Sequence, residues 1–165
     1  MMLESSLTAL PKALVNSFPH DEIWTPQSAL KPLLPYLNSK AILWEVAPGS
    51  GHLVSMLQAE GYDVVAQNRD FFEWEPESWD VIVSNPPYSK AAKFVRRSNE
   101  LGKPWAYLLP ITKLGAANFR KSAGEELEII FLPKRIDFTN KKSPWFYVVW
   151  ITHGLNIGKP FTYIW

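Results

Sequence analysis

A short stretch at residues 79–88 combines residue types that can bind a planar amino group. It reads Trp-Asp-Val-Ile-Val-Ser-Asn-Pro-Pro-Tyr. The apolar run predicts a buried parallel strand that ends at Asn85, because Pro86 and Pro87 cannot continue a central strand. The amide oxygen of Asn85 and the carbonyl of Pro86 can accept two N–H bonds, and an exposed Tyr88 ring can cover the flat face. The stretch therefore predicts a site for a planar NH2-bearing group at the carboxyl end of a strand.

Length and composition predict a single α/β domain over residues 1–165, with residues 1–22 as an N-terminal arm or short helix. The net charge is +1, so overall charge points to no polyanionic partner. The chain has no cysteine, which excludes disulfides, thiolate nucleophiles and cysteine-ligated zinc, and we predict no metal site. We find no signal peptide and no apolar run long enough to cross a membrane, and we expect a cytoplasmic protein.

A glycine-containing loop follows the first predicted strand, residues 41–46. The loop reads Ala47-Pro48-Gly49-Ser50-Gly51 and leads into a helical pattern. Strand, glycine loop and helix form the start of a Rossmann-type unit, in which glycines permit a tight turn and close approach to a ligand. No third glycine follows, so this is not the dinucleotide-phosphate fingerprint.

Two further segments flank this unit. Thr25 followed by Pro26 predicts a helix start, with the threonine hydroxyl as cap and the proline at the first helical position. The second predicted strand, residues 62–66, is followed by Gln67-Asn68-Arg69-Asp70-Phe71-Phe72, so no carboxylate stands directly at its end.

The remaining chain predicts alternating elements and an unusual tail. Helices are expected at residues 89–101, a basic segment that includes Lys90, and at 112–122; strands are expected at 104–110 and 127–133. Residues 134–145 form a basic loop flanked by aromatic residues. Strands at 146–152 and 161–165, with this polar loop, predict an antiparallel hairpin at the sheet edge.

In this order, the motifs resemble class I S-adenosylmethionine-dependent amino-methyltransferases, and small phage-type adenine-N6 DNA methyltransferases in particular. The specific part of the resemblance covers residues 24–88. It implies a Rossmann-like fold with a mostly parallel seven-stranded sheet, helices on both faces and a C-terminal antiparallel hairpin. The implied cofactor is S-adenosylmethionine, and the implied substrate is the N6 amino group of adenine in DNA, within the host cytoplasm if the protein is phage-encoded.

The resemblance also implies roles for individual residues. The implied catalytic residues are Asn85, Pro86, Pro87 and Tyr88. The implied cofactor-binding residues are Thr25, Pro26, Glu45, Ala47, Pro48, Gly49, Gly51, Asn68, Asp70, Phe71 and Asn85. The implied substrate-binding residues are Tyr88, Lys90, Phe138, Trp145 and Phe146. One departure from the family pattern is Asn68, which lies where an acid commonly bonds the cofactor ribose.

Several alternatives remain open at this point. The same motif serves RNA adenine-N6 and protein-glutamine N5 methyltransferases, and the missing ribose-binding acid favours a non-catalytic methyltransferase-like subunit. DNA is preferred over RNA as the nucleic-acid partner. No target-recognition domain fits between Gly51 and Asn85, so loops or a separate partner protein would supply sequence specificity. The chain is expected to be a monomer or a homodimer.

Overall fold

The computed structural model describes residues 25–136, 147–158 and 160–161. The predicted N-terminal arm and three substrate-binding candidates, Phe138, Trp145 and Phe146, lie outside these residues. Among the described residues, none of the helices has the length and apolar character that crossing a bilayer requires.

Short helices and strands alternate along the described chain. The helices are α1 (Gln27–Leu30), α2 (His52–Ala59), α3 (Ala91–Leu101) and α4 (Ala117–Ala123), with 3-10 turns at Leu34–Tyr36, Tyr88–Lys90 and Ile111–Gly115. The strands are β1 (Ile42–Trp44), β2 (Asp63–Val65), β3 (Val81–Ser84), β4 (Trp105–Pro110), β5 (Leu127–Phe131), β6 (Val148–His153) and β7 (Pro160–Phe161).

Over the described ranges the strands form one sheet in the order β2-β1-β3-β4-β6-β5-β7. The pairs β1–β2, β1–β3 and β3–β4 are parallel. The strand β6 runs antiparallel to both β4 and β5, so β5 points the same way as β4. The predicted α/β sheet, mostly parallel with an antiparallel part, is therefore confirmed. The carboxyl ends of β1 to β4 meet at one edge, which we call the carboxyl edge.

The C-terminal part of the sheet differs from a simple terminal hairpin. The strand β6 inserts between β4 and β5, whereas the two-residue β7 pairs with the outer side of β5. Because β5 lies between β6 and β7, no described pairing confirms the predicted hairpin; residues 137–146 and 162–165 lie outside the described residues. The described pairing places β6 beside β4, on the side of β4 that faces away from β3.

Two helices are shorter than their apolar patterns predicted. The segment 89–101 begins with a 3-10 turn, because the chain must reverse direction directly after Pro87, and regular α-helix starts only at Ala91. The segment 112–122 is broken at Ala116, whose backbone is extended after Gly115. A glycine weakens a helix interior, so the break falls at that position.

An aromatic cluster positions the connection between β2 and β3. The ring of Trp44, on β1, lies 5.2 Å from Phe71, 5.9 Å from Trp74 and 5.1 Å from Trp79, measured between ring centroids. Trp44, Phe71 and Trp79 are buried. Edge-on and tilted arrangements of this kind are the favoured ones for aromatic pairs. Part of the high tryptophan content therefore holds a loop at the carboxyl edge.

Trp150 joins the first described helix to the last long strand. It is fully buried, and its indole N–H donates to the carbonyl of Ala29 at 2.7 Å, across a separation of 121 residues. We expect Trp150→Phe to lower the free energy of unfolding by about 2–4 kcal/mol, because it removes volume and leaves a buried acceptor without its donor. Urea unfolding of the purified protein measures this change.

The matched control is Trp44→Phe, which also removes buried indole volume but from a side chain that packs through its ring. The Trp150 variant should be the less stable of the two. Equal losses would contradict an energetic role for the hydrogen bond to Ala29.

Candidate active site

Glu45 lies at the carboxyl end of β1 and is almost completely buried, with 1% of its surface exposed. Its Oε1 accepts a hydrogen bond from the backbone N–H of Ala47 at 2.8 Å and a short one from the hydroxyl of Ser84. Burial raises the pKa of Glu45 to about 7, against the opposing effect of the hydrogen bonds from Ser84 and Ala47. One carboxyl group therefore joins the loop after β1 to the last residue of β3.

The glycine loop turns sharply between β1 and α2. The N–H of Gly51 donates to the carbonyl of Pro48 at 2.7 Å, and the φ angles of Gly49 and Gly51 are +50° and +81°. A side chain is disfavoured at such φ values, so the turn selects glycine. No heavy atom lies within 4 Å of the point where a Cβ would stand on either glycine. The backbone of this loop therefore borders open space that a ligand can enter.

Thr25 contacts Asn85, the residue for which the sequence predicts a hydrogen-bond acceptor role. The predicted capping role is wrong, because Pro26 occupies the N-cap position, α1 begins at Gln27 and no side-chain cap bond forms. The Thr25 hydroxyl oxygen instead accepts a hydrogen bond from the amide nitrogen of Asn85 at 3.0 Å. Thr25 is only 3% exposed, so this bond is shielded from water. Contact across 60 residues thus replaces the local contact that the Thr-Pro pattern predicted.

The bond to Thr25 defines the orientation of the Asn85 side chain. With Nδ2 donating to Thr25, the buried Oδ1 is the amide atom that accepts hydrogen bonds. Asn85 directly follows β3, so this oxygen belongs to the carboxyl edge. The arrangement matches the acceptor chemistry predicted for an amino group.

Tyr88 differs from its predicted placement. The sequence predicts an exposed ring, whereas the side chain is 6% exposed and belongs to the hydrophobic core. Tyr88 begins the 3-10 turn Tyr88–Lys90 directly after Pro87, and it is the buried residue of that turn. Pro86 is buried as well, and Pro87 is half-buried. A stacking role for Tyr88 stays a prediction.

A cavity of about 380 Å³ lies at the carboxyl edge, a volume within the range of small-molecule sites. Six of the predicted site residues line it: Ala47, Asn68, Asp70, Phe71, Pro87 and Lys90. Sequence reasoning missed four lining residues: Val46, Arg69, Phe72 and Phe94. The structure therefore brings the glycine-loop strand, the loop after β2 and the Asn-Pro-Pro-Tyr segment to one cavity.

The loop after β2 forms one wall of this cavity. Asp70 accepts a hydrogen bond from the N–H of Phe72 at 2.8 Å through Oδ1, and its side chain is exposed. Phe71 is buried and stacks on Phe94, with ring centroids 5.2 Å apart and planes 15° from parallel. Phe72, at 39% exposure, is the more open of the two adjacent rings. The loop is too short for a periodic sequence pattern to predict which of the two rings is buried and which is exposed.

A larger cavity of about 560 Å³ lies between α3 and α4. Its lining residues are Arg96, Asn99, Glu100, Lys121 and Ser122. None of these carries a predicted role, and those on α3 belong to the half of the helix that runs away from the carboxyl edge. The smaller cavity is therefore the candidate active site.

No protein-family model and no curated protein sequence matches this chain. Solved structures do match. One is a dimethyladenosine transferase from Plasmodium falciparum, with a TM-score of 0.51 and 15% identity over 84% of this chain and 63% of that chain. Another is a tRNA (m1A58) methyltransferase from Aquifex aeolicus, with a TM-score of 0.46 and 18% identity over 81% of this chain and 71% of that one.

The first of these likenesses shows a shared fold. The described chain and the dimethyladenosine transferase have the same overall arrangement at a TM-score of 0.51. The chain spans about 63% of the length of that transferase. The fold class implied by the sequence motifs therefore has support that does not depend on those motifs.

Glu45 should make stability depend on pH. The pKa of Glu45 is about 7 in the folded protein, above the ordinary value of 4.5 that applies to the unfolded chain, so between these values the folded protein binds more protons than the unfolded chain does. The free energy of unfolding should therefore fall as pH rises through this window and level off above it, by about 3 kcal/mol at most. Glu45→Gln should remove this fall, which urea unfolding at about pH 5 and about pH 8 measures. Parallel pH profiles for the two proteins would contradict the assignment.

Proposed function

We propose that the chain is an S-adenosylmethionine-dependent N-methyltransferase that acts on the N6 amino group of adenine, with DNA as the first substrate to test. The observation that carries the proposal is the Asn85 amide, which Thr25 orients at the carboxyl edge, two residues before Pro87, which lines the cavity. Ligands of open α/β sheets bind at that edge.

The residues around the cavity suit S-adenosylmethionine. Gly49 and Gly51 do not line the cavity, but they follow the lining residue Ala47 and border open space, so they would permit close approach of the amino-acid end of the cofactor. Asp70 and Phe71, lining the cavity, supply a carboxylate acceptor and an apolar wall for an adenine ring. Asn68 lines it too and can bond a ribose diol in place of an acid. When bound, the cofactor supplies a methyl group on a positively charged sulfur.

The proposed chemistry depends on hydrogen-bond acceptors at Asn85. An adenine amino nitrogen is a poor nucleophile, because its lone pair is delocalised into the ring. The Asn85 oxygen and the Pro86 carbonyl, by accepting its two N–H bonds, would localise that pair. They would also stabilise positive charge that develops on the nitrogen as the nitrogen–methyl bond forms and the methyl–sulfur bond breaks, which would leave a neutral thioether. The methylated nitrogen would then lose one proton to water. This scheme asks for no histidine base.

The substrate class is the less constrained part of the proposal. The fold neighbour named a dimethyladenosine transferase supports adenosine as the target. An adenine in a duplex would have to leave the base stack to reach Asn85. Lys90 lines the cavity and is proposed to contact the nucleic acid, as are Phe138, Trp145 and Phe146. A separate partner could supply sequence specificity.

The direct experiment uses labelled S-adenosylmethionine with adenine-containing DNA, adenine-containing RNA and a glutamine peptide. Label appearing in DNA supports the proposal, whereas label only in RNA or peptide would replace its substrate. Calorimetric titration with the cofactor completes the test. An absence of cofactor binding would overturn the enzymatic proposal and favour the non-catalytic subunit.

Asn85→Ala should abolish methyl transfer while the cofactor dissociation constant changes little. The truncation removes the proposed acceptor but leaves the cavity lining intact. We expect a fall in rate of at least roughly 100-fold, the scale observed when an electrostatic stabiliser of the transition state is lost. Undiminished transfer by this variant would disprove the mechanism.

Thr25 should act as a positioning residue for Asn85. Thr25→Val keeps the shape but removes the acceptor that orients the amide, so we expect transfer to slow by roughly 10-fold or more. Thr25→Ser keeps the hydroxyl and should restore most of the rate. Steady-state kinetics and cofactor titration separate this from a binding role, because a role limited to the cofactor would weaken its binding and leave the saturated rate unchanged.

A further inference from the structure

Two cationic side chains line the candidate active site. Arg69 follows β2 and Lys90 ends the 3-10 turn before α3, and both border the cavity of about 380 Å³. Both residues are exposed. Within residues 25–136, 147–158 and 160–161, neither Arg69 nor Lys90 forms an ion pair with a carboxylate within 4.0 Å.

Arg69 has a defined support. Its guanidinium carbon lies 5.3 Å from the centroid of the Trp74 ring, in a cation–π contact. Trp74 packs edge-on against the buried Trp44 at 5.9 Å. A stacked guanidinium keeps the N–H groups in its plane available for hydrogen bonds to an anion. The aromatic cluster thus holds one of the cations at the cavity.

The neighbouring carboxylate does not neutralise these charges. Asp70 lines the same cavity, but its Oδ1 accepts from the N–H of Phe72, and it forms no ion pair with the described cations. S-adenosylmethionine has a single carboxylate and carries a net positive charge at neutral pH, so two cations without carboxylate partners favour a further ligand that is more negatively charged. Their natural ligand is an anion that arrives at the mouth of the cavity.

We infer that Arg69 and Lys90 bind phosphates of the substrate strand next to the adenine that is to be methylated. The inference rests on the proposed function. Arginine and lysine are the usual phosphate ligands, and positioning a strand by its backbone is independent of base sequence. The exposed Phe72 ring between them in the chain offers a stacking surface of the kind that single-strand sites combine with cations. A free adenine nucleotide has the same phosphate chemistry, so the test includes one.

The test measures binding of a short fluorescent single-stranded DNA with one adenine, by anisotropy over a range of salt concentrations. The double variant Arg69→Gln/Lys90→Gln should bind at least tenfold more weakly. Its salt dependence should be shallower by about 1.4 in logarithmic slope, since each lost phosphate contact on a single strand contributes about 0.7. The charge-retaining variant Arg69→Lys/Lys90→Arg should keep most of the affinity.

Lys40→Gln/Lys121→Gln is the matched control, because it removes two exposed cations that do not line this cavity. It should bind DNA like the wild type. If the control and the cavity variant lose affinity equally, general surface charge explains binding and the inference is wrong. Equal affinity and slope in the cavity variant and the wild type would also overturn it.

Two further measurements identify the ligand. Adenosine 5′-monophosphate and inorganic phosphate should compete with the DNA only weakly. If the monophosphate competes strongly with the wild type but not with the cavity variant, the two cations bind a free nucleotide and the inference is wrong. Cofactor titration of the cavity variant should match the wild type or be slightly tighter. A large loss of cofactor affinity would make these cofactor residues and overturn the inference.

DNA binding is read without methyl transfer, so the two proposals can fail separately. Binding that depends on Arg69 and Lys90 in a protein that transfers no methyl group would support the inference and count against the enzymatic proposal. If the wild type methylates DNA but binds it no more tightly than the cavity variant does, the enzymatic proposal is supported and the inference about Arg69 and Lys90 is wrong.

Discussion

The carboxyl edge depends on one buried acid. Glu45 directly follows β1, and its Oε1 accepts hydrogen bonds from the backbone N–H of Ala47 and from the hydroxyl of Ser84, which ends β3. A carboxyl group in this position costs desolvation energy, and the two hydrogen bonds offset part of it. In return, the glycine loop that borders open space and the strand end before Asn85 are joined through one side chain.

The two sides of the candidate site differ in how they are held. The wall formed by the loop after β2 leans on aromatic rings, with Phe71 stacked on Phe94 and Trp74 packed on Trp44. The acceptor side is held by hydrogen bonds. Ring packing tolerates small displacements, because dispersion contacts have little directional preference. Hydrogen bonds tolerate them less, because they weaken as the donor and acceptor move out of line. This division suits a site with a tolerant wall for flat groups and a precise acceptor for an amino group.

Much of this arrangement could be predicted from the sequence, because it depends on local patterns. The apolar run before Asn85 and the glycines after β1 predicted strand ends, and each strand from β1 to β6 begins and ends within two residues of its predicted bounds. The placement of Thr25 could not be predicted, since its partner lies 60 residues away and a Thr-Pro pair equally fits a helix cap. The burial of Tyr88 could not be predicted from its local pattern either, since it depends on packing against core residues that are distant in sequence. The same holds for the greater exposure of Phe72 than of Phe71.

The position of β6 has a consequence for how the chain reaches this state. The strand lies between β4 and β5, although it follows both in sequence. Until β6 pairs, β4 and β5 have no hydrogen-bonding partner on their facing sides. Pairing of this kind closes long loops and is slow. The strands β1 to β4, near Glu45 and Asn85, can pair before β6 is synthesised, whereas β5 can join the sheet only after β6 is present. A chain that lacks β6 therefore has unpaired edges on β4 and β5, which can associate with other chains.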